Sequence, residues 1–225
     1  MSPIRTAILS TPRSGTHFLQ SILDKRPDTS AYGQLNLVHT KYVPKEREAD
    51  LLSIIQDSIT DEMKKNKMIV FIWNTNCEEA KFAKPPTQIF DKTILLQRKN
   101  KLNQYISLKI AQKTDNWAGY ISKGRIVLSV NDFKNYLQNT EFICKEQRRC
   151  VKDYIEIFYE DLCSTDKFRD TMEEIDDFIG VTKIDYSKLE DTRRSLFVRK
   201  QQVKPISEVV INYQDFEEYD RDIIF

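Results

Sequence analysis

The chain has 225 residues, with 35 Lys and Arg against 34 Asp and Glu and a formal net charge of +1. That balance excludes the sustained positive field of a duplex-binding domain, so no nucleic-acid partner is expected. The plentiful aromatic and branched residues exclude a disordered chain. The length fits one domain over residues 1–225 with a sizeable core. No apolar stretch reads as a signal peptide or a transmembrane segment, so a cytoplasmic protein is expected.

The first strand is expected at residues 5–10, around Ala7, Ile8 and Leu9. It runs into Thr11-Pro12-Arg13-Ser14-Gly15-Thr16-His17, and Phe18, Leu19, Ile22 and Leu23 then follow at helical spacing. Lys25-Arg26-Pro27-Asp28 ends that helix, because proline cannot continue it. Residues 31–39 read as irregular or briefly extended, with Gly33 in a turn. Leu51, Leu52, Ile54, Ile55, Ile59 and Met63 predict a helix over 45–65. Met68 to Trp73 is a continuous apolar run suited to a strand buried on both faces.

Thr93-Ile94-Leu95-Leu96 predicts a third strong strand, leading through Arg98 to a helix over 101–113. Residues 115–123 read as a loop, 131–151 as a long helix, and 155–159 as a fourth strand. A helix over 167–179 stops at Gly180, and the remainder is loop-rich with the basic cluster Arg199-Lys200-Gln201. Strands alternating with helices predict an α/β fold: a P-loop-like, doubly wound parallel sheet flanked by helices, with ligand loops at the strands' C-terminal ends. The four cysteines form no C-x-x-C pair, and with two histidines in the chain no metal site is expected.

The turn after the first strand carries the chemistry. Backbone N–H groups and the positive end of a helix dipole converge there on an anion. Arg13 offers a planar fork of donors, Ser14 and Thr16 offer hydroxyls, and Gly15 lets the backbone approach closely. The turn lacks the Gly-Lys pair of a nucleotide-triphosphatase loop, so a P-loop nucleotide kinase-like phosphotransferase is the weaker alternative. A second anion element follows the third strand, where Arg98 precedes Ser107 by about two helical turns. Two cationic pockets, set apart within one cleft, are the expectation. Lysine is disfavoured near a helix N-terminus without an anion, and Lys99 and Lys101 sit there. Trp73, Asn74, Trp117 and Tyr120 are candidates for an acceptor pocket, since aromatics at strand and helix ends stack on sugar faces.

Thr11-Pro12-Arg13-Ser14-Gly15-Thr16 and Arg98…Ser107 resemble the two phosphosulfate-binding motifs of the sulfotransferase superfamily, most closely its bacterial carbohydrate and glycolipid branch. Tyr159-Glu160-Asp161-Leu162, the segment from Met172 to Val181, and Arg199-Lys200-Gln201 with Asn212-Tyr213 resemble further family segments in the right order. The resemblance implies transfer of a sulfuryl group from 3′-phosphoadenosine 5′-phosphosulfate to an acceptor hydroxyl of a carbohydrate, glycolipid or other small molecule. The product is adenosine 3′,5′-bisphosphate (PAP). It implies that Pro12, Arg13, Ser14, Gly15, Thr16 and His17 hold the 5′-phosphosulfate. Arg98 and Ser107 would hold the 3′-phosphate, with Arg199, Lys200 and Gln201 closing over the nucleotide. Where the bacterial branch carries a Glu as general base, this chain has Gln34, which leaves His39 or His17 as the base, an acidic acceptor, or a catalytically impaired nucleotide-binding homologue. A homodimer is compatible with the resemblance.

Overall fold

The computed structural model describes residues 2–34, 59–60, 63–75, 90–117, 125–189 and 205–225. The apolar runs of the sequence become a five-stranded, all-parallel sheet. Its strands are β1 (Ile4–Ser10), β2 (Thr29–Gln34), β3 (Met68–Asn74), β4 (Lys92–Gln97) and β5 (Tyr154–Phe158), in the order β2-β3-β1-β4-β5. The helices among the described residues are α1 (Thr16–Leu23), α2 (Lys101–Thr114), α3 (Val130–Cys150), α4 (Tyr159–Cys163), α5 (Phe168–Ile179) and α6 (Ile206–Val209). No helix among the described residues is long and apolar enough to cross a membrane.

The period of two along buried strands sorts their side chains between two apolar layers. Ile8, Val70, Ile72, Ile94 and Leu96 join Leu19, Ile22 and Leu23 of α1 and Met172 and Ile175 of α5 on one face. Leu9, Ile69, Phe71, Trp73 and Leu95 form a cluster with Val151 on the other. Each such buried side chain contributes about 1.5–3 kcal/mol relative to exposure. A third cluster joins α2 and α3 to the C-terminal segment through Tyr105, Phe133, Ile206 and Phe216.

Of the stretch read as irregular or briefly extended over 31–39, residues 31–34 are extended: they complete β2, an edge strand paired with β3, with a register shift between Ala31 and Gly33, and residues 35–39 lie outside the described residues. Tyr159 opens α4 instead of closing β5. Of the helix expected over 45–65, residues 45–58 and 61–62 lie outside the described residues, and Met63–Lys65 forms a 3₁₀ turn.

The turn between α1 and β2 is locked by a buried ion pair. Arg26, 2% exposed, donates from Nη1 to Asp176 Oδ1 at 2.7 Å and to the Tyr186 hydroxyl at 2.8 Å, and from Nη2 to the Thr182 carbonyl at 2.8 Å. Tyr186 donates in turn to the Asp176 carboxylate at 2.8 Å. Burial and the Asp176 carboxylate push the Tyr186 hydroxyl well above its usual range, so it stays a donor.

Candidate functional site

β1 and β4 are neighbours and run parallel, so the loops leaving their C-terminal ends emerge side by side. The loop after β1 makes its turn with two left-handed residues, Arg13 at φ 66° and Gly15 at φ 93°. Gly15 then caps α1. Glycine suits the second position for two reasons. Its φ is unfavourable for any residue with a β-carbon, and a β-carbon there would overlap the Tyr159 ring, coming within 2.8 Å of Cε2. The Tyr159 ring thus closes one side of the loop and packs edge-on against Phe18, with centroids 5.9 Å apart.

Arg13 turns its side chain onto α2. Its Nε donates to Ser107 Oγ at 3.0 Å and its Nη1 to the Trp117 carbonyl at 2.9 Å. Arg98, at the end of β4, lies with its guanidinium carbon 5.1 Å from the Tyr159 ring centroid. Its Nη1 reaches the Arg13 carbonyl at 3.5 Å, and its Nε lies 3.7 Å from Glu160. That Nε is buried and makes no hydrogen bond among the described residues. Burial, then the charge of Arg98, pull the Arg13 guanidinium down to about 10, still charged at neutral pH. Two cations half-buried against each other form a place where an anion is stabilised.

The two arginines expected in separate pockets of one cleft stand on adjoining loops, with Arg98 reaching the Arg13 backbone. The left-handed backbone at Arg13 aims its side chain across the inter-strand gap, onto the helix that carries Ser107. The lysines also read differently from the expectation that they face an anion. Lys99 pairs with Asp161 at 2.9 Å, and Lys101, 1% exposed, sits with its Nζ 5.3 Å from the Phe225 ring centroid.

Ser14 is fully buried, and its hydroxyl lies 3.1 Å from Thr11 Oγ1 and 2.9 Å from Gln104 Nε2. Thr16 is the buried first residue of α1, and Pro12 presents its carbonyl to Gln104 Nε2 at 2.8 Å. His17 is exposed on the first turn of α1; desolvation of its ring and the Arg13 charge hold its imidazole below the usual range, so it is neutral at pH 7. Asn74 ends β3 and accepts the Ser10 hydroxyl at the same edge of the sheet. Trp117, 50% exposed, stands beside the niche through its carbonyl, whereas Trp73, 4% exposed, belongs to the apolar cluster of Leu9, Phe71 and Leu95. Gln34 ends β2 opposite Ile72. His39, Tyr120, Arg199, Lys200 and Gln201 lie outside the described residues.

Two residues to which the sequence reading gave no role organise the niche. The Glu160 carboxylate accepts the backbone N–H of Lys99 at 2.8 Å and of Asn100 at 3.3 Å, fixing the turn that presents Arg98. Gln104 binds the loop after β1 from α2. Its signal is a carboxamide inside the buried stripe of α2, three residues before Ser107.

Three solved structures resemble this architecture. Mouse sulfotransferase SULT7A1, complexed with PAP, is 16% identical with a TM-score of 0.53, covering 94% of this chain and 71% of that one. The sulfotransferase domain from the curacin biosynthetic pathway is 16% identical with a TM-score of 0.50, covering 81% and 75%. A sulfotransferase from Alicyclobacillus acidocaldarius is 10% identical with a TM-score of 0.51, covering 88% and 94%. The chain has the sulfotransferase fold. At these identities the likeness is one of fold alone: no family model and no curated protein matches the sequence. In the sulfotransferase fold of this chain, the niche of Arg13 and Arg98 sits where the β1 and β4 loops meet above the sheet.

Proposed function

We propose that the chain is a sulfotransferase that uses 3′-phosphoadenosine 5′-phosphosulfate and sulfates an acceptor hydroxyl. The observation that carries this reading is the adjacency of Arg13 and Arg98 at the glycine-capped N-terminus of α1. A donor charged at both the 3′ and the 5′ position of one ribose asks for two cations in one cleft, and Arg98 Nε, buried 3.7 Å from Glu160, makes no hydrogen bond to any described residue. The SULT7A1 structure that the fold resembles holds PAP, the product such a reaction leaves.

The bound donor supplies the sulfuryl group, which passes to the acceptor oxygen as the sulfur–oxygen bond to the phosphate breaks. The chain's own residues do the rest. Arg13 and the amides at the start of α1 stabilise the negative charge that grows on the leaving phosphate oxygen. Arg98 and Ser107 hold the 3′ side, and Ser107 also orients Arg13 through their hydrogen bond. Positioning supplies much of the rate, as in phosphoryl transfer. The acceptor proton goes to a neutral imidazole: His17 stands at the loop in the required protonation state, and His39 is the second candidate. Carbohydrate and glycolipid acceptors follow from the sequence resemblance.

The test is transfer from a labelled donor to a panel of sugars, glycolipids and phenols, paired with thermal-shift measurements. Labelled product, together with stabilisation by PAP but not by ATP with magnesium, is the expected result. Stabilisation by ATP with magnesium alone would replace this reading with a phosphotransferase. PAP binding with no transfer to any acceptor would leave a donor-binding homologue without turnover.

A further inference from the structure

Gln104 lies in the buried stripe of α2 with Leu102, Tyr105 and Ile106, and is 0% exposed. Its Nε2 donates to Thr11 Oγ1 at 2.8 Å, to the Pro12 carbonyl at 2.8 Å and to Ser14 Oγ at 2.9 Å. A peptide carbonyl only accepts, so the Pro12 contact fixes which end of the amide faces the loop. The other end, Oε1, is buried and takes no hydrogen bond from any described residue. A buried amide with one end unsatisfied is less favourable than an apolar side chain of equal size. What the amide supplies instead is one NH2 group, whose two N–H bonds are shared among three acceptors of the Thr11–Ser14 turn. Gln104 and Ser107 are three apart and share a helix face. That face therefore holds the loop backbone through Gln104 and the Arg13 guanidinium through Ser107.

We infer that Gln104 is a positioning residue that holds the Thr11–Ser14 turn in its anion-receiving shape, and that its influence falls on the 5′-phosphate of the bound nucleotide and spares the 3′ side. The inference rests on the donor-site reading above. Without Nε2, the Pro12 carbonyl and the two hydroxyls lose their common donor. Arg13, at φ 66°, is then free to relax to a more favourable backbone angle.

The experiment is a calorimetric titration of the full chain and its Gln104→Met and Gln104→Glu variants with two ligands, adenosine 3′,5′-bisphosphate and adenosine 3′-monophosphate. Both variants are expected to bind the bisphosphate at least tenfold more weakly and the 3′-monophosphate within twofold of the unmodified chain. Equal losses for the two ligands would reduce Gln104 to a general structural role and overturn the inference, as would no loss for either. Should both variants fail to fold, Thr11→Val carries the test by removing one acceptor while leaving Gln104 in place. A three- to tenfold loss confined to the bisphosphate is expected there, and equal losses or none overturn the inference. An unmodified chain that binds neither ligand would instead contradict the donor site itself, which separates the two failures.

Discussion

At position 15 two demands coincide, a left-handed backbone and no room for a side chain against Tyr159. Gly15→Ala is therefore expected to destabilise the chain by about 2–4 kcal/mol, combining overpacking with a left-handed residue. Denaturant unfolding would check this, and PAP binding should fall with it. Arg98 acts through charge-assisted hydrogen bonding, worth about 1.5–3 kcal/mol per bond, so Arg98→Ala should weaken PAP binding about tenfold to a hundredfold. The His17 imidazole is held below its ordinary range, first by desolvation and then by Arg13. If it takes the acceptor proton, kcat/KM falls as the pH drops through that depressed value, and His17→Ala removes this limb of the profile. These residues differ in how legible they are. Arg13, Gly15 and Arg98 stand out in sequence because basic residues and glycine punctuate strand ends. Gln104 does not, and Glu160 stands out only as part of a segment without a role of its own, because their partners lie in other loops, brought near only by the sheet order.

Among the elements, α1, α2 and α5 were readable from periodicity and from their stops, Pro27 and Gly180, and β3 and β4 from unbroken apolar runs. β2 was legible only as a stretch irregular or briefly extended from residue 31, because an edge strand of Thr, Ser and Gly is defined by its pairing with β3 and not by its own pattern. The contact of Arg13 with Ser107 was also hidden, since it depends on the left-handed turn at Arg13. The junction of α1 and β2 is held to α5 by the Arg26–Asp176 pair, whose side chains are both fully buried. Arg26→Met would leave the Asp176 carboxylate in the interior without its cation. A loss of about 3–5 kcal/mol is expected in urea unfolding, and a change below about 1 kcal/mol would mean the pair is not closed in solution.

For the whole molecule, acid is the condition that loosens the fold. Against the desolvation of burial, hydrogen bonds from Arg5 hold the Asp91 carboxyl below its usual range, and Lys99 and Lys167 do the same for Asp161. A carboxyl whose folded pKa lies below its unfolded one, near 3.9, contributes stability above that unfolded value and loses it as pH falls through the folded value. The urea midpoint is therefore expected to hold from pH 7 to pH 5 and to drop between pH 4 and pH 2. Replacing Asp91 with Asn should lower the neutral-pH plateau and shallow the acid drop. Asp91 ties β1 to the start of β4, and Asp161 ties α4 to the turn before α2. The Asp161 contact thus sits at the loop after β4, whereas the Asp91 contact joins the N-terminal ends of β1 and β4, opposite the loops that carry Arg13 and Arg98.

Whether those two loops form one receptor for a bisphosphorylated adenosine is tested most directly by calorimetric titration of the chain and of Arg98→Ala with PAP. One-to-one binding that weakens at least tenfold in the variant is predicted. No binding to the unmodified chain, or equal affinity in both proteins, would contradict the account.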